Sequence, residues 1–191
     1  MTGEPALACD ALARLVSYPG PTLHADLAAC GASLGGSTDD QEREAAEALA
    51  RFGAHIATRS TTEVEEVYTW AFDFDPKCTL EIGWHLFGEE YARGALLVRL
   101  RELLRQHDIP ETAELPDHLV HVLPVLARLE PEQASALATA CVLPALEKIV
   151  AGLAATGNPY EHLVQAIRVL LDWRYGTPAD TVGRTGGGTE P

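Results

Sequence analysis

Apolar residues recur along most of the chain at the three-to-four-residue spacing of amphipathic helices, and the alternation typical of strands is hard to find. The clearest case is segment 89–107, whose predicted buried side consists of Leu96, Leu97, Leu100, Leu103 and Leu104. Three arginines of this segment are expected to face water: Arg93, Arg101 and Arg105. The whole pattern predicts helices at about residues 5–18, 22–33, 39–58, 60–75, 78–87, 89–107, 116–129, 131–155 and 160–173.

Capping residues and prolines set several of these predicted helix ends. Ser60 and Glu63 have the spacing of a capping box, in which the hydroxyl and the carboxylate satisfy free backbone amides at the start of a helix. Pro131 is expected to begin a helix, because proline needs no amide partner in the first turn. Pro144 lies inside the same segment and is expected to kink it.

The chain has 191 residues, which suffices for one domain with a substantial core. Segment 177–191 contains three consecutive glycines and almost no large apolar residues, so we expect a disordered tail there. The predicted fold is therefore all-α: a single-domain multi-helix bundle over residues 1–176, followed by a disordered Gly-rich tail over residues 177–191.

Acidic residues outnumber basic ones by 28 to 14, which gives a formal net charge of -14. A nucleic-acid-binding protein needs a basic surface, so the charge argues against that class of partner. It also disfavours binding to an anionic membrane surface. A basic partner, by contrast, would be attracted over a long range.

The cysteines and the hydropathy of the chain indicate its compartment. The four cysteines, at positions 9, 30, 78 and 141, form no Cys-x-x-Cys pair, so a zinc site lacks its usual signature. Widely spaced cysteines in a chain of this size are typical of reduced, packed thiols. No stretch approaches 18 apolar residues without a charge, and no basic region precedes an apolar run at the N-terminus. We therefore expect a cytoplasmic protein with no signal peptide and no membrane insertion.

One cluster of titratable residues could carry chemistry. Asp117, His118 and His121 lie at the start of a predicted helix. Helix capping and hydrogen bonding are favoured over metal ligation for them, but a metal-dependent hydrolase that uses these three residues stays open as an alternative. Neither a phosphate-binding glycine motif nor a recognisable nucleophile with a base is present in the sequence.

A second cluster is aromatic and acidic, at the end of the fourth predicted helix. Phe72 is expected in the core, whereas a core position and an exposed groove are equally open for Trp70 and Phe74. Aromatic residues interleaved with acids suit a groove that binds a peptide with apolar and basic residues. The predicted peptide-binding residues of this cluster are Tyr68, Trp70, Phe72, Asp73 and Phe74, and Trp84 and Phe87 extend it along the chain.

Several short blocks of the sequence, in this order, resemble the NarJ/TorD family of molybdoenzyme maturation chaperones, and its NarJ branch most closely. They run from Leu15 to Pro19, Tyr68 to Phe74, Cys78 to Leu80, Gly88 to Leu97, Glu114 to Leu119 and Asn158 to Tyr160. The resemblance implies an all-helical bundle with no catalytic reaction, no catalytic residues, no bound metal and no cofactor of its own.

The resemblance also implies a partner. Members of that family bind the N-terminal leader of a molybdopterin oxidoreductase catalytic subunit, assist insertion of the molybdenum cofactor, and delay assembly or export until the enzyme is complete. The Asp-His block of the family is implicated in binding that leader, so the resemblance implies that Asp117 and His118 are peptide-binding residues as well. The client would be nitrate reductase or a related enzyme that acts on selenate, chlorate, dimethyl sulfide or hydrocarbons. A generic helical protein-interaction module stays open as an alternative, and we expect a monomer or a weak homodimer.

Overall fold

The computed structural model of the protein describes residues 4–34 and 36–176. In these residues the fold is all-α, as the sequence predicts, and it contains ten α-helices and one π-helical segment, where nine helices were expected. The helices are α1 Glu4–Leu15, α2 Leu23–Leu34, α3 Asp40–Ile56, α4 Thr61–Phe72, α5 Ile82–Phe87, α6 Tyr91–Gln106, α7 Leu119–Arg128, α8 Pro131–Leu137, α9 Leu143–Thr156 and α10 Tyr160–Tyr175. The predicted tail, 177–191, lies outside the described residues.

The core of the bundle is built on α3 and α10, which pack along each other, with α9 against α10 and α1 against α7. Aromatic rings fill its centre. The ring of Tyr160 lies 4.8 Å from that of Phe52 and 5.1 Å from that of Phe72, centroid to centroid. Tyr68 contacts both Tyr160 and Phe72 edge-on. These contacts join α3, α4 and α10, and such aromatic pairs add to the stabilisation that burial alone provides.

Two helix starts differ from the sequence expectation. Residues 78–81 and 116–118 are not helical, so α5 begins at Ile82 and α7 at Leu119. The two segments pair instead: the amide of Ile82 donates to the carbonyl of Asp117, and the amide of Leu119 donates to the carbonyl of Leu80. This pairing satisfies backbone amides that would otherwise need partners within a helix. Because the two segments are distant in sequence, local patterns do not reveal the pairing.

The segment from Pro131 to Thr156, where the sequence predicts a kink at Pro144, contains a π-helical segment. Pro131 occupies the first turn of α8, and the backbone of Ala138–Val142 widens into a π-helix immediately before Pro144. Because proline has no amide to donate and its ring crowds the preceding turn, a local bulge keeps the helix continuous. By length and composition this helix is also the one candidate membrane span in the described residues. Core helices pass that test as well, and its residues Ala138, Val142 and Ile149 are completely buried.

The predicted capping box is present at the start of α4. The Ser60 hydroxyl accepts a hydrogen bond from the Glu63 amide, and the Glu63 carboxylate accepts one from the Ser60 amide at 2.7 Å. These bonds hold the pKa of Glu63 below its ordinary value. The box fixes where α4 begins, and therefore which of its residues face the core.

Replacing Ser60 by alanine is expected to lower the free energy of unfolding by about 1 kcal/mol, because an N-cap acceptor is lost. Urea denaturation monitored by circular dichroism measures this. The matched control is Ser33→Ala, since Ser33 is an exposed residue near the end of α2 whose hydroxyl donates to the Cys30 carbonyl and caps no helix start. Equal losses in the two variants would contradict a capping role for Ser60.

Candidate peptide-binding surface

The aromatic residues of segment 68–74 divide between two sides of α4. Tyr68 and Phe72 lie one turn apart and are buried, so the core position expected for Phe72 is confirmed. Trp70 and Phe74 are 68% and 64% exposed, and their rings stack with centroids 4.8 Å apart. Asp73 ends the helix beside them and is exposed. An exposed stacked pair of large aromatic rings is unusual on a protein surface and marks a candidate contact site.

Tyr68 supports this surface from inside. Its hydroxyl donates to the carbonyl of Val16 at 3.2 Å, and the ring of Tyr18 meets its ring edge-on at 5.4 Å. Burial raises the pKa of Tyr68, so the phenol stays protonated and remains a donor. The turn after α1 is thereby fixed against α4.

A depression lies between α4 and that turn, and we call it the α4 pocket. Its volume is about 220 Å³, and its lining residues are Tyr18, Thr62, Glu65, Glu66, Thr69 and Trp70. Five of the six come from one face of α4, at spacings of three, four, seven and eight residues from Thr62. Of these six residues, only Trp70 was predicted from the sequence. The helical spacing of the residues after the capping box could have placed the five α4 residues on one face. It could not have revealed Tyr18, which comes from a turn distant in sequence.

Asp117, predicted to contact a peptide, is instead completely buried against α6. Arg93 donates to it from Nε at 3.1 Å and to Glu81 from Nη2 at 2.8 Å. The expectation that Arg93 faces water is therefore wrong: its side chain is only 15% exposed. The reason is tertiary, since the paired segments 80–82 and 117–119 bring two carboxylates to the inner side of α6. Gly83 permits this approach, because a Cβ there would lie 2.5 Å from Asp117 Oδ2.

His118 and His121 hold the start of α7. His118 is its N-cap residue, and its Nδ1 accepts a hydrogen bond from the Val120 amide at 3.1 Å. Burial, together with the nearby His121, lowers the pKa of His118 to about 4. His121 accepts from the Thr112 amide through Nε2 at 3.0 Å and donates to the Leu115 carbonyl through Nδ1. The capping role weighed for this cluster is thus fulfilled by His118 rather than Asp117.

These hydrogen bonds do not leave Asp117, His118 and His121 with the set of free ligand atoms that a metal-dependent hydrolase would need. Asp117 faces Arg93, and both ring nitrogens of His121 are already bonded. Throughout residues 4–34 and 36–176, no group of three or more His, Cys, Asp and Glu side chains is placed to hold a metal ion. The geometry of this cluster is that of a structural junction between α5, α6 and α7.

A profile described as "Nitrate reductase delta subunit" matches residues 38–165. The chain belongs to the nitrate reductase delta subunit family. Among curated relatives, the "Probable nitrate reductase molybdenum cofactor assembly chaperone NarJ" of Bacillus subtilis (strain 168) is 30% identical over 134 residues, which cover 70% of this chain and 71% of the relative. The resemblance to the NarJ/TorD family is therefore confirmed.

The region matched to the delta subunit family begins just before α3 and ends within α10. It contains all of α4 and the junction of Arg93 with Asp117, whereas Tyr18 precedes it. Trp84 and Phe87, the remaining predicted contact residues, lie on α5 and are half-buried. The Arg93 guanidinium lies 5.6 Å from the centre of the Trp84 ring, within cation–π range. In this family member the exposed part of the predicted surface is therefore centred on Trp70, Asp73 and Phe74.

Proposed function

We propose that this protein is a cytoplasmic chaperone for a molybdopterin oxidoreductase, either nitrate reductase or a related enzyme. It binds the N-terminal segment of the catalytic subunit, assists molybdenum cofactor insertion, and delays assembly or export until the subunit is complete. Family membership supports the class of client. The single observation that carries the binding role is the exposed, stacked pair of Trp70 and Phe74 on an acidic helix face.

We propose that the nine predicted residues act in two ways. Trp70, Asp73 and Phe74 contact the segment directly, and the partly covered rings of Trp84 and Phe87 extend the apolar area. The buried members support that surface from within and do not touch the segment in this conformation: Tyr68, Phe72, Asp117 and His118. The segment lies on the surface as an amphipathic helix, with apolar side chains on the rings and basic ones near the acids.

The charge of the chain supports a basic segment as the occupant. With a net charge of -14, the protein attracts positively charged peptides and repels nucleic acid. Glu81 and Asp117 are neutralised by Arg93 and are not available to the basic residues of a peptide. The acidic groups left for the peptide on α4 and at its end are Glu65, Glu66 and Asp73.

A non-catalytic role for a monomer or weak homodimer is part of the same proposal. The buried polar residues that could have served as catalysts have structural partners: Asp117 binds Arg93, and His118 caps α7. Reversible holding of a client needs only modest affinity, and a micromolar dissociation constant corresponds to about -8 kcal/mol.

Replacing Trp70 and Phe74 together by serine is expected to weaken binding of the client's N-terminal segment at least tenfold. The loss of one buried aromatic anchor costs about 2 kcal/mol, which exceeds the 1.4 kcal/mol of a tenfold change. Calorimetry with a synthetic peptide of about 30 residues from the start of the nitrate reductase catalytic subunit measures the affinity, with a scrambled peptide as reference.

The control variant is Tyr91→Ser. Tyr91 is 95% exposed on α6 and belongs to no part of the proposed surface, so its loss should leave the affinity unchanged. Both variants should keep the unfolding midpoint, since the three side chains are exposed. Unchanged affinity in the double variant would remove the assigned surface, and a peptide that binds no better than its scrambled version would overturn the proposed function itself.

A further inference from the structure

The α4 pocket has the size of a subsite for one side chain. Its volume of about 220 Å³ lies below the roughly 300–1,000 Å³ of typical small-molecule pockets. It opens beside the exposed Trp70–Phe74 pair, so a peptide lying on those rings would pass its mouth. A residue of such a peptide could therefore enter the pocket without any change in the fold.

Two carboxylates of the pocket lack a counter-ion. In the described part of the chain, neither Glu65 nor Glu66 forms a salt bridge or a side-chain hydrogen bond, although Glu65 is half-buried. Some other partly covered acids in the described residues are neutralised, for example Asp26 by Arg14 and Asp10 by Arg128. Two neighbouring negative charges in a depression attract a cation more strongly than either charge alone would.

The aromatic walls favour a flat cation. Trp70 is held by its stacking on Phe74, and Tyr18 by its edge contact with Tyr68, so both rings are positioned before any ligand arrives. A guanidinium group stacks on such rings, donates to two acceptors at once and is weakly hydrated, whereas an ammonium group is a strongly hydrated point charge. The hydroxyls of Thr62 and Thr69 provide further acceptors in the lining.

We propose that the α4 pocket binds the side chain of one arginine of the client's N-terminal segment, an assignment that rests on the proposed function. The guanidinium lies against Trp70 and Tyr18 and donates to Glu65 and Glu66, while neighbouring apolar residues of the segment cover Phe74. A metal cation fits less well, because the described residues gather no group of three or more ligating side chains there. The pocket thus adds charge selectivity to a surface that would otherwise recognise only apolar residues.

The test combines peptide and protein variants in a double-mutant cycle. Each arginine of the synthetic N-terminal peptide is replaced in turn by citrulline, which keeps the shape and loses the charge, and by lysine. One such citrulline replacement is expected to weaken binding about tenfold to the unaltered protein and less than twofold to the Glu65→Gln, Glu66→Gln variant, as expected when a charged hydrogen-bonded pair is broken. Lysine at that position should restore only part of the affinity.

The charge-matched control is Glu42→Gln with Glu44→Gln, which removes two charges from α3 and leaves the pocket intact. Its sensitivity to citrulline should equal that of the unaltered protein. Tight binding of the peptide with no citrulline replacement having an effect, or equal citrulline losses in both glutamine variants, would overturn the arginine subsite and leave the proposed function standing. No binding of the unmodified peptide would overturn the proposed function.

Discussion

Arg93→Leu is expected to lower the free energy of unfolding by about 3–5 kcal/mol, which is the cost of leaving a buried charge without its partner. Asp117 is completely buried, and Arg93 is its ion-pair partner among the described residues. In the described residues the other carboxylate oxygen of Asp117, Oδ1, already lacks a hydrogen bond. Loss of Arg93 would therefore leave both oxygens of Asp117 unsatisfied. Urea denaturation at neutral pH measures the loss.

The control for this prediction is Arg99→Leu on the same helix. Arg99 forms only an exposed pair with Glu102, and such pairs contribute about 0–1 kcal/mol. Gly83→Ala tests the same junction without altering a charge, because its Cβ would collide with Asp117 Oδ2. A similar small effect in Arg93→Leu and Arg99→Leu would show that the buried pair is not what fixes α5 and α7 to α6.

His118→Asn is expected to flatten the dependence of stability on pH. In the folded protein the pKa of His118 is lowered to about 4 from its ordinary value of 6.5, so between these values the unfolded chain binds more protons. Stability from this group is complete above pH 6.5 and is lost as the pH falls towards 4. Between pH of about 7.5 and 4.5 the loss amounts to about 2–3 kcal/mol.

Asparagine is a suitable replacement because it also accepts a hydrogen bond at an N-cap but does not titrate. For each protein we take the difference in unfolding free energy between the two pH values. Comparing this difference between the variant and the unaltered protein cancels the titration of all other groups. His24→Asn, which alters an exposed histidine of α2, should behave as the unaltered protein does. An unchanged pH dependence in His118→Asn would mean that protonation of His118 does not weaken the fold.

The two predictions concern the same junction, and they bear on how the site works. The Asp117–His118 block was expected to contact the peptide, yet both side chains are engaged inside the protein. Variants of these residues should therefore alter stability first, and any effect on peptide affinity should follow from a disturbed surface. Affinity measured below the unfolding transition, together with the unfolding midpoint, separates these effects.

The sequence determined those features that depend on neighbours within one or two turns. Most of the helices, the capping box of α4 and a disturbance of the helix near Pro144 were predictable, because the groups that form them lie within a few residues of each other. Helical spacing also separated Trp70 and Phe74 from the buried side of α4, although it did not say whether another helix would cover them.

Only the tertiary structure decided which residues meet across the bundle. The partners of Arg93 lie 12 and 24 residues away, and Tyr18 is brought to α4 by a hydrogen bond between Tyr68 and Val16 across 52 residues. Such contacts depend on how whole helices pack, and no periodicity along the chain encodes them. For that reason the sequence indicated an aromatic and acidic surface, while the packing assigned Asp117 to the interior and formed the pocket beside Trp70.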